Sequence, residues 1–580
     1  MTTLNGGRFH GSRYKGVSAV LLGAALLCFL MTSCGGGGGG SSSPPPTSNP
    51  APSITSLSPS SATVGAAAQT LTINGTNFMS SSTVTYNRVA HTATYVSSTQ
   101  LTTPLSASDQ ATAGTFAVVV TNPAPGGGAS NFMNFTVNDP VPTITSLSPA
   151  SATAGAAAQT LTINGRNFLS SSTVTYNGVA HSAAYVSSTL LTISLTANDQ
   201  ATAGSYAVVV TNPSPGGGPS NSLSFAVALG MPLFSTTAAQ NGAVILTIYS
   251  TASGAAVHYT IDGSTPTTSS PTYQTPMLIS SNLTINAIAT APGVPSSSVA
   301  TWTASTTVAP GVLVWSDEFT NTTGTNAQPN PAAWTYDTGG GGWGNSELEN
   351  YCGWDSSTSP CDPTDPNVYM GTDGYLHIVA EEPSAGVYTS ARMKSQGLLS
   401  ILYGRVEARI KVPEAQGFWP AFWMMGNNIV TDGWPACGEA DIQERINAAT
   451  TPDWNAGSIH GTGFTDGNLG TTYNFPSGQT AADWHTYGMI WQPGSVQYYI
   501  DSPTNIYATY TPASLTSLPG AVWPFDSGNA EFFILNLAVG GSWPGSPDST
   551  TPFPSQTLVD YVRVYSYGNP VATSTSLAPR

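Results

Sequence analysis

The chain has 580 residues, too many for one domain, and only 7% of them are charged. Its formal net charge is −16, and between residues 35 and 300 the basic residues are Arg88 and Arg166 alone. A surface so poor in cations excludes nucleic acid as a partner. Abundant Ser, Thr, Gly and Pro, together with many short alternating runs, predict an all-β, multi-domain chain.

An export signal is predicted over residues 1–34. Three basic residues precede an apolar run from Val17 to Met31, which has the length of a signal h-region and is shorter than a membrane span. Thr32-Ser33-Cys34 follows the run, and this junction resembles the lipobox of bacterial lipoproteins. The resemblance implies lipidation of Cys34 and a membrane-anchored protein at the cell surface or in the periplasm. Ordinary cleavage and free secretion is the alternative.

A Gly/Ser/Pro linker over residues 35–51 follows and is flexible by composition. Beyond it lies an internal repeat, because the sequence that begins at Ile54 recurs almost unchanged from Ile144. Each copy, over residues 52–138 and 142–228, has the size and strand alternation of an immunoglobulin-like sandwich. Both copies resemble the immunoglobulin-like domains shared by plexins and transcription factors.

Asn-Gly pairs in the two copies, at Asn74-Gly75 and Asn164-Gly165, predict hairpin turns. The role of the copies stays open between a spacer and a module that binds carbohydrate or protein. Residues 230–306 are of a different type. Their segment Val257–Tyr273 resembles the small β-sandwich appended to chitobiases, and the Asp262-Gly263 turn fits that fold. We interpret this module as a spacer, because it shows no obvious aromatic platform.

From Leu313 onward Trp, Tyr and charged residues become frequent, and residues 312–567 have the size of one large β-sandwich. Residues 568–580 read as a disordered tail. Three cysteines remain outside the signal, and export permits disulfides. Cys352 and Cys361 close a short loop and are the favoured pair, which would leave Cys437 free; a bridge to Cys437 stays open.

Three carboxylates, Glu439, Asp441 and Glu444, lie within six residues. Strand alternation places the first two on one face, and a β-bulge near Ile442–Gln443 would return the third to that face. Repulsion then splits their pKa values into an ionised nucleophile and a protonated acid, as a retaining glycosidase requires. Ordinary surface acids are the alternative, but charges are scarce here and five aromatic residues flank the cluster. Those flanking residues are Phe418, Trp419, Phe422, Trp423 and Trp434.

The domain resembles glycoside hydrolase family 16, and within it the laminarinase-like β-1,3-glucanases. The resemblance rests on ten ordered segments: LVWSDEF, GGWGNSELENY, YTSARMKS, YGRVEARIKVP, GFWPAFWMMG, WPACGEADIQE, SIHGTG, DWHTYGMIW, LNLAVGGSWPG and VDYVRVY. It implies a concanavalin-like β-jelly roll, preceded here by three small immunoglobulin-like sandwiches. Gln443 stands where laminarinases usually carry Met, and Ala440 where they usually carry Ile or Leu.

The resemblance also implies roles for the three carboxylates. Glu439 would be the nucleophile and Glu444 the acid/base, while Asp441 would bond to Glu439 and bias its ionisation. The expected activity is endo-hydrolysis of internal β-1,3 bonds in laminarin-type β-glucan with retention, by a monomer that needs no cofactor for catalysis. Mixed-linkage glucan or galactan as substrate, transglycosylation, and a non-catalytic carbohydrate-binding lipoprotein are the alternatives.

Further site residues carry over from the family. Trp419 and Trp423 would stack on glucosyl rings on the glycone side. His460 would contact the carboxylates or the substrate, and Trp543 would lie at the cleft rim; for both, a purely structural role is the alternative. A structural calcium ion, held by Glu318 and Asp560, is expected on the convex side. Residues expected to bond sugar hydroxyls are Asn345 and Arg392.

Overall fold

The computed structural model describes residues 47–304, 308–465, 467 and 469–567. The export signal, Cys34 and the tail over residues 568–580 lie outside these residues. Throughout the described part the chain is built almost entirely of β-strands, as the sequence predicts. None of the helices described there is both long and apolar enough to cross a membrane. Contacts divide the chain into two units, one ending at Val137 and the next beginning at Asn138.

The first repeat forms a two-sheet sandwich. Its strands are β1 (Ser53–Ser58), β2 (Ser61–Thr63), β3 (Gln69–Thr76), β4 (Thr83–Tyr86), β5 (Val89–His91), β6 (Thr94–Ser97), β7 (Gln100–Leu105), β8 (Gly114–Asn122), β9 (Gly128–Ala129) and β10 (Met133–Asn138), with a 3-10 turn at Ser108–Gln110. One sheet has the order β1-β3-β7-β6, and the other has the order β2-β10-β8-β4-β5 with β9 on β8. Alternate residues such as Leu71, Ile73, Val118 and Val120 fill the core between the sheets.

The second repeat has the same topology in its own sandwich. Its strands are β11 (Thr143–Ser148), β12 (Ser151–Thr153), β13 (Gln159–Arg166), β14 (Thr173–Tyr176), β15 (Val179–His181), β16 (Ala183–Ser187), β17 (Leu190–Leu195), β18 (Gly204–Asn212), β19 (Gly218–Pro219) and β20 (Leu223–Ala228), with a 3-10 turn at Asn198–Gln200.

The predicted hairpin turns at the Asn-Gly pairs are wrong, because both pairs lie inside strands. Gly75 is in β3, where a Cβ atom would lie 2.0 Å from the carbonyl oxygen of Ser53 and 2.5 Å from the Phe78 ring. Glycine is therefore needed there for close packing and not for a turn. The β4–β5 hairpin turns instead at Asn87-Arg88, whose φ angles of 48° and 67° suit a tight hairpin.

The module over residues 230–306 adds six strands. They are β21 (Leu233–Ala238), β22 (Val244–Tyr249), β23 (Ala256–Thr260), β24 (Met277–Ile279), β25 (Thr284–Thr290) and β26 (Ala300–Thr303), with a 3-10 turn at Gln240–Gly242. Strands β23, β25 and β26 form a small sheet of their own. The predicted turn at Asp262-Gly263 is present: Gly263 has a φ of 79°, and Asp262 Oδ1 accepts a hydrogen bond from the Ser264 amide at 3.0 Å.

The C-terminal domain is a sandwich of two large sheets around one apolar core. Its strands are β27 (Leu313–Asp317), β28 (Thr335–Asp337), β29 (Glu349–Tyr351), β30 (Val368–Met370), β31 (Leu376–Ser384), β32 (Val387–Ser390), β33 (Arg392–Lys394), β34 (Ser400–Ile401), β35 (Gly404–Lys411), β36 (Phe418–Gly426), β37 (Glu439–Glu444), β38 (Trp454–His460), β39 (Gly470–Asn474), β40 (His485–Gln492), β41 (Ser495–Ile500), β42 (Ile506–Tyr510), β43 (Glu531–Val539) and β44 (Ser555–Tyr565), with the helix α1 (Ile429–Asp432) and a 3-10 turn at Pro512–Leu515.

One of these sheets runs β34-β43-β36-β37-β38-β39, and the other runs β29-β32-β31-β44-β35-β40-β41-β42. Phe418, Phe422 and Met424 of β36 point into the core between the sheets and are fully buried. By strand alternation Trp419 and Trp423 lie on the opposite face. We call this opposite face of the sheet, with the side chains that project from it, the active face.

The interpretation of the 230–306 module as a spacer is corrected by its contacts. Strand β24 pairs in parallel with β34, so the sheet of the active face continues through β24 into β22 and β21. The buried hydroxyl of Tyr259 donates to the Gly528 carbonyl at 2.8 Å. Apolar residues of the module, among them Leu278, belong to the same core cluster as the C-terminal domain. The module is thus packed as part of the domain that follows it.

Cys352 and Cys361 form the predicted disulfide, with their Cα atoms 5.7 Å apart. Cys437 is a free, buried thiol, and burial raises its pKa to about 12. At neutral pH this thiol is therefore protonated and unreactive, which fits a packing role.

Candidate active site

Strand β37 carries the three carboxylates, and the predicted bulge is confirmed. Against β38, Asp441 pairs with Ser458 and Glu444 with Ala456, so three steps on β37 match two on β38. The bulge therefore contains one extra residue. Against β36, the carboxylates Glu439, Asp441 and Glu444 pair with Met425, Trp423 and Ala421, which alternate along β36. All three carboxylates consequently lie on the active face.

Glu439 lies at the start of the strand beside an indole and an imidazole. The indole nitrogen of Trp434 donates to Glu439 Oε2 at 3.0 Å, and His460 Nε2 lies 3.8 Å from Glu439 Oε1. Burial, followed by the charge of Asp441, raises the pKa of Glu439 to about 8, while His460, Trp434 and Arg392 oppose that rise. Glu439 thus has three groups that favour its ionised form, which is the form a nucleophile needs.

Glu444 lies at the end of the strand, and the indole nitrogen of Trp419 donates to its Oε1 at 3.0 Å. Burial, followed by the charge of Asp441, raises the pKa of Glu444 to about 8. The hydrogen bond from Trp419 is the leading effect that opposes this rise. The raised pKa is the same for both glutamates, so the predicted split rests on their surroundings: three groups support the charge of Glu439 and two, Trp419 and His460, that of Glu444, which makes Glu439 the first to ionise.

Asp441 lies between the two glutamates, but its hydrogen bonds differ from the expected bond to Glu439. Its Oδ2 accepts from the Ser458 hydroxyl at 2.9 Å and lies 2.9 Å from His460 Nε2. Burial alone would lower the pKa of His460, yet the bond and charge of Asp441, with the two glutamates, raise it to about 9. A protonated His460 places one positive charge among three carboxyl groups, so His460 lies within the carboxylate row.

Aromatic rings surround the Glu444 end of the row. Trp419 meets Trp543 edge to face at 5.4 Å between ring centroids, and Trp454 lies 6.0 Å from Trp543. Trp543 is 44% exposed, so part of its ring faces solvent. Such an exposed ring next to an acid can stack on the apolar face of a sugar. Trp454 was not found by sequence reasoning, because its position on a neighbouring strand gives no signal by itself.

Arg392 and Trp423 lie together on the active face. The Arg392 guanidinium lies 4.7 Å from the centre of the Trp423 ring and 5.3 Å from that of Trp343. Its Nε also lies 3.1 Å from Asp337 Oδ2. Held between two rings, the guanidinium keeps a fixed direction from which it can donate to sugar hydroxyls. Sequence reasoning missed Trp343, although its Gly-rich surroundings mark a tight loop.

A chain of hydrogen bonds connects the exposed Asn345 to Trp423. Asn345 Nδ2 donates to Glu347 at 3.3 Å, and the Tyr351 hydroxyl donates to the same carboxyl at 2.9 Å. Asn536 Nδ2 donates to the Tyr351 hydroxyl at 3.2 Å, and Asn536 Oδ1 accepts from the Trp423 indole nitrogen at 2.8 Å. These contacts fix the predicted sugar-binding residue Asn345 and the ring of Trp423 in one network.

Another buried carboxyl group, that of Glu531, lies at the start of β43 and is 3% exposed. Burial, with the charges of Glu439 and Asp441, raises its pKa to about 8. In the unfolded chain the pKa of a glutamate is about 4.3. Because the folded pKa is the higher one, Glu531 supports folding at low pH and opposes it increasingly as the pH rises toward 8.

We therefore expect Glu531→Gln to flatten the dependence of stability on pH. Between pH 5 and 8 the melting temperature of the variant should fall less than that of the wild type. At pH 8 the difference corresponds to about 2–4 kcal/mol in the free energy of unfolding. Calorimetry across this pH range measures the difference. Glu382→Gln, at an exposed glutamate, should leave the wild-type slope unchanged. Parallel curves for Glu531→Gln and the wild type would contradict the expectation.

The residues expected to hold calcium are already paired with arginines. Glu318 accepts two hydrogen bonds from Arg563, at 3.0 and 2.8 Å, and Asp560 accepts one from Arg409 at 2.7 Å. Carboxylates neutralised in this way do not fit a site for a divalent cation. Among the described residues, one group of three ligand atoms lies within 4.8 Å, and it consists of Glu439, Asp441 and His460. This group is the carboxylate row itself.

Comparison with known families gives a match for each of the four folded modules. Residues 357–562 match the family model of glycosyl hydrolases family 16. Residues 236–301 match the chitobiase/beta-hexosaminidase C-terminal domain, and residues 52–137 and 142–227 match the IPT/TIG domain. The matches agree in order and type with the modules described above.

Curated relatives share the C-terminal part, and each of the following three alignments covers 44% of this chain. A beta-glucanase of Rhodothermus marinus is 36% identical over 267 residues, which are 85% of that protein. A glucan endo-1,3-beta-glucosidase A1 of Niallia circulans is 35% identical, over 37% of its length. A keratan-sulfate endo-1,4-beta-galactosidase of Sphingobacterium multivorum is 34% identical, over 54% of its length. By its agreement with most of the first relative, the chain belongs to glycoside hydrolase family 16.

Proposed function

We propose that the protein hydrolyses internal β-1,3 bonds of laminarin-type β-glucan with retention of configuration. The bulged strand β37 carries this proposal, since it brings Glu439, Asp441 and Glu444 to one face with a tryptophan donor at each end. A retaining glycosidase requires one ionised and one protonated carboxyl group on the two sides of the scissile bond. The β-1,3-glucosidase activity named for the Niallia circulans relative supports the choice of substrate.

In the first step, Glu439 attacks the anomeric carbon while Glu444 protonates the departing glycosidic oxygen. The carbon–oxygen bond to the leaving chain breaks, and an ester forms between the sugar and Glu439. In the second step, Glu444 takes a proton from water, whose oxygen attacks the same carbon and releases Glu439. Two inversions give net retention. Between the two glutamates, the protonated His460 pairs with Asp441 and offsets the negative charge of the carboxyl groups. No cofactor takes part in either step.

Substrate binding falls to the groups on each side of the carboxylates. Asn345, Arg392 and Trp423 form one connected group, and we assign them to the glycone side. Trp419 and Trp543 surround Glu444, so we assign Trp543 to the rings that receive the leaving chain. The hydrogen bond from Trp419 to Glu444 gives Trp419 a second role, which is to orient the acid.

A panel of polysaccharides tests the substrate. Purified full chain is incubated with laminarin, lichenan, agarose and keratan sulfate, and the products are separated by size. We expect laminarin to be cut into short oligosaccharides with internal cleavage from the first minutes. Keratan sulfate belongs in the panel because the Sphingobacterium multivorum relative is named for cleaving it. Cleavage of agarose or keratan sulfate, with laminarin intact, would contradict the β-1,3-glucan assignment and leave the carboxylate chemistry in place.

The domain boundaries proposed from sequence extend past the family match at both ends. Strand β27, which lies outside residues 357–562, pairs with β44. This pairing supports a catalytic domain over residues 312–567. The contacts of the 230–306 module with β34 support treating the module as part of the catalytic body. For the two immunoglobulin-like repeats, the roles of spacer and of binding module both stay open.

We also propose that the protein is exported as a monomer and anchored to a membrane through a lipid on Cys34. The lipobox-like junction in the sequence supports this proposal. We expect Cys34→Ser to abolish incorporation of labelled palmitate and to move the enzyme from the membrane fraction to the soluble fraction. Fractionation after labelling measures both, with Cys28→Ser as the control that should stay anchored. A Cys34→Ser protein that still carries label in the membrane would contradict the anchor.

A further inference from the structure

The bulge in β37 interrupts the regular pairing of this strand with β38. Between Asp441 and Glu444, two residues of β37, Ile442 and Gln443, oppose the single Gly457 of β38. A bulge interrupts the regular ladder, and its backbone groups need partners when they are buried. Ile442 and Gln443 are 1% exposed, so water is not available to satisfy these groups. A neighbouring side chain must therefore contribute hydrogen bonds.

Asn455 of β38 supplies them and is fully buried, with 0% exposure. Its Oδ1 accepts from the amide of Glu444 at 3.1 Å, and its Nδ2 donates to the carbonyl of Ile442 at 3.3 Å. One carboxamide thus bridges the two residues on either side of the extra position. Only a group that is both donor and acceptor can make this pair of bonds.

The Asn455 side chain is itself held in place. Its Nδ2 also lies 3.0 Å from the Ala456 carbonyl and 3.3 Å from the Tyr507 hydroxyl. Next to it, a Cβ atom on Gly457 would lie 2.4 Å from that same hydroxyl and 2.9 Å from the Tyr498 ring. The carboxamide therefore has little freedom to turn away from the bulge.

We propose that Asn455 is a positioning residue for Glu444, an inference that rests on the acid/base role proposed above. Strand side chains alternate with a period of two, so a strand without the extra residue would turn Glu444 to the core face. The Asn455 carboxamide fixes the register that keeps Glu444 on the active face beside Trp419. Its loss lets the end of β37 shift and moves the acid away from the glycosidic oxygen.

Asn455→Leu tests the proposal, because leucine has a similar size and makes no hydrogen bond. A shift of about 1 Å in a catalytic group costs up to about 100-fold in rate. We expect kcat on laminarin to fall between about 10- and 100-fold, with KM within about twofold of the wild type. The matched control is Asn367→Leu. Asn367 is 1% exposed and bonds the Val379 carbonyl and the Thr389 hydroxyl, at 2.9 and 3.1 Å, on the other sheet.

A substrate with an activated leaving group separates positioning from general damage. From a 2,4-dinitrophenyl β-laminaribioside the leaving group departs as 2,4-dinitrophenolate without protonation, so kcat/KM on this substrate does not depend on the acid. On this substrate we expect Asn455→Leu to match the wild type within about threefold, as Glu444→Gln should, while both variants are impaired on laminarin. Asn367→Leu should have a lower melting temperature than the wild type but the same kcat/KM on both substrates.

The outcomes distinguish this inference from the proposed function. If Glu444→Gln keeps its activity on laminarin, the acid/base assignment fails, and the inference fails with it. If Glu444→Gln depends on the leaving group and Asn455→Leu does not, Asn455 is only structural and the inference alone is overturned. Should Asn455→Leu not fold, Asn455→Ser is measured in the same way, since its hydroxyl is too short to reach both backbone groups.

Discussion

Replacing Glu439 with alanine should lower kcat on laminarin by at least about 1,000-fold. The carboxylate lies largely buried beside Trp434 and His460, and its removal takes away the group that we assign to form the ester and so to split the reaction into two steps. The measurement is the release of reducing ends by the purified full chain. The exposed Glu382→Gln is the control and should retain wild-type activity.

The products formed with azide as an external nucleophile distinguish the catalytic nucleophile from the acid/base residue. In Glu439→Ala, azide can enter the space left by the carboxyl and attack the anomeric carbon once, which gives the α-glycosyl azide. In Glu444→Ala the ester on Glu439 still forms from an activated substrate, and azide then attacks it to give the β-glycosyl azide. The configuration of the azide product is read by NMR. A β-azide from Glu439→Ala would contradict the roles assigned to the two glutamates.

A charge at the junction of the 230–306 module and the catalytic domain should unfold both together. Leu278 of β24 is 3% exposed and pairs with Ile401 of β34. An aspartate there is buried without a partner, which costs several kcal/mol, so we expect Leu278→Asp to lower stability by more than about 4 kcal/mol. Thermal unfolding, followed by laminarin activity, measures the loss. Leu233→Asp is the control, because Leu233 lies in the same module and is 44% exposed.

Proteolysis provides an independent test of the same junction. A specific protease site is inserted between Ala304 and Val308, the protein is incubated with that protease under native conditions, and complete cleavage is verified on a denaturing gel. We expect the two pieces to co-elute and to retain activity, because the β24–β34 pairing and the Tyr259 hydrogen bond do not depend on the cut. A module that elutes separately and leaves a fully active catalytic domain behind would show that the module is a spacer after all.

The sequence predicts what depends on local pattern. The five-residue step from Glu439 to Glu444 already requires a bulge, because alternation has a period of two. The short loop between Cys352 and Cys361 likewise favours the observed disulfide. In each case the prediction concerns residues that are close in the chain, so their geometry follows from spacing alone.

The sequence does not reveal contacts between distant segments. Tyr259 and Gly528 are 269 positions apart, and no local pattern marks either as part of a shared core. Asn455 reads as an ordinary polar residue until its neighbour on β37 is known. The Asn74-Gly75 pair misleads for a related reason, since close packing of Phe78 and not a turn demands its glycine. The indole bonds from Trp419 and Trp434 to opposite ends of the carboxylate row also required the sheet pairing.

The central claim is that Glu439 and Glu444 hydrolyse a β-1,3-glucan by two successive displacements. The most direct test is proton NMR of laminarin during the first minutes of digestion by the wild-type chain, before the products mutarotate. The account predicts that new reducing ends appear first as the β-anomer and then equilibrate with the α-anomer. New ends that appear first as the α-anomer would mean a single displacement and would contradict the account.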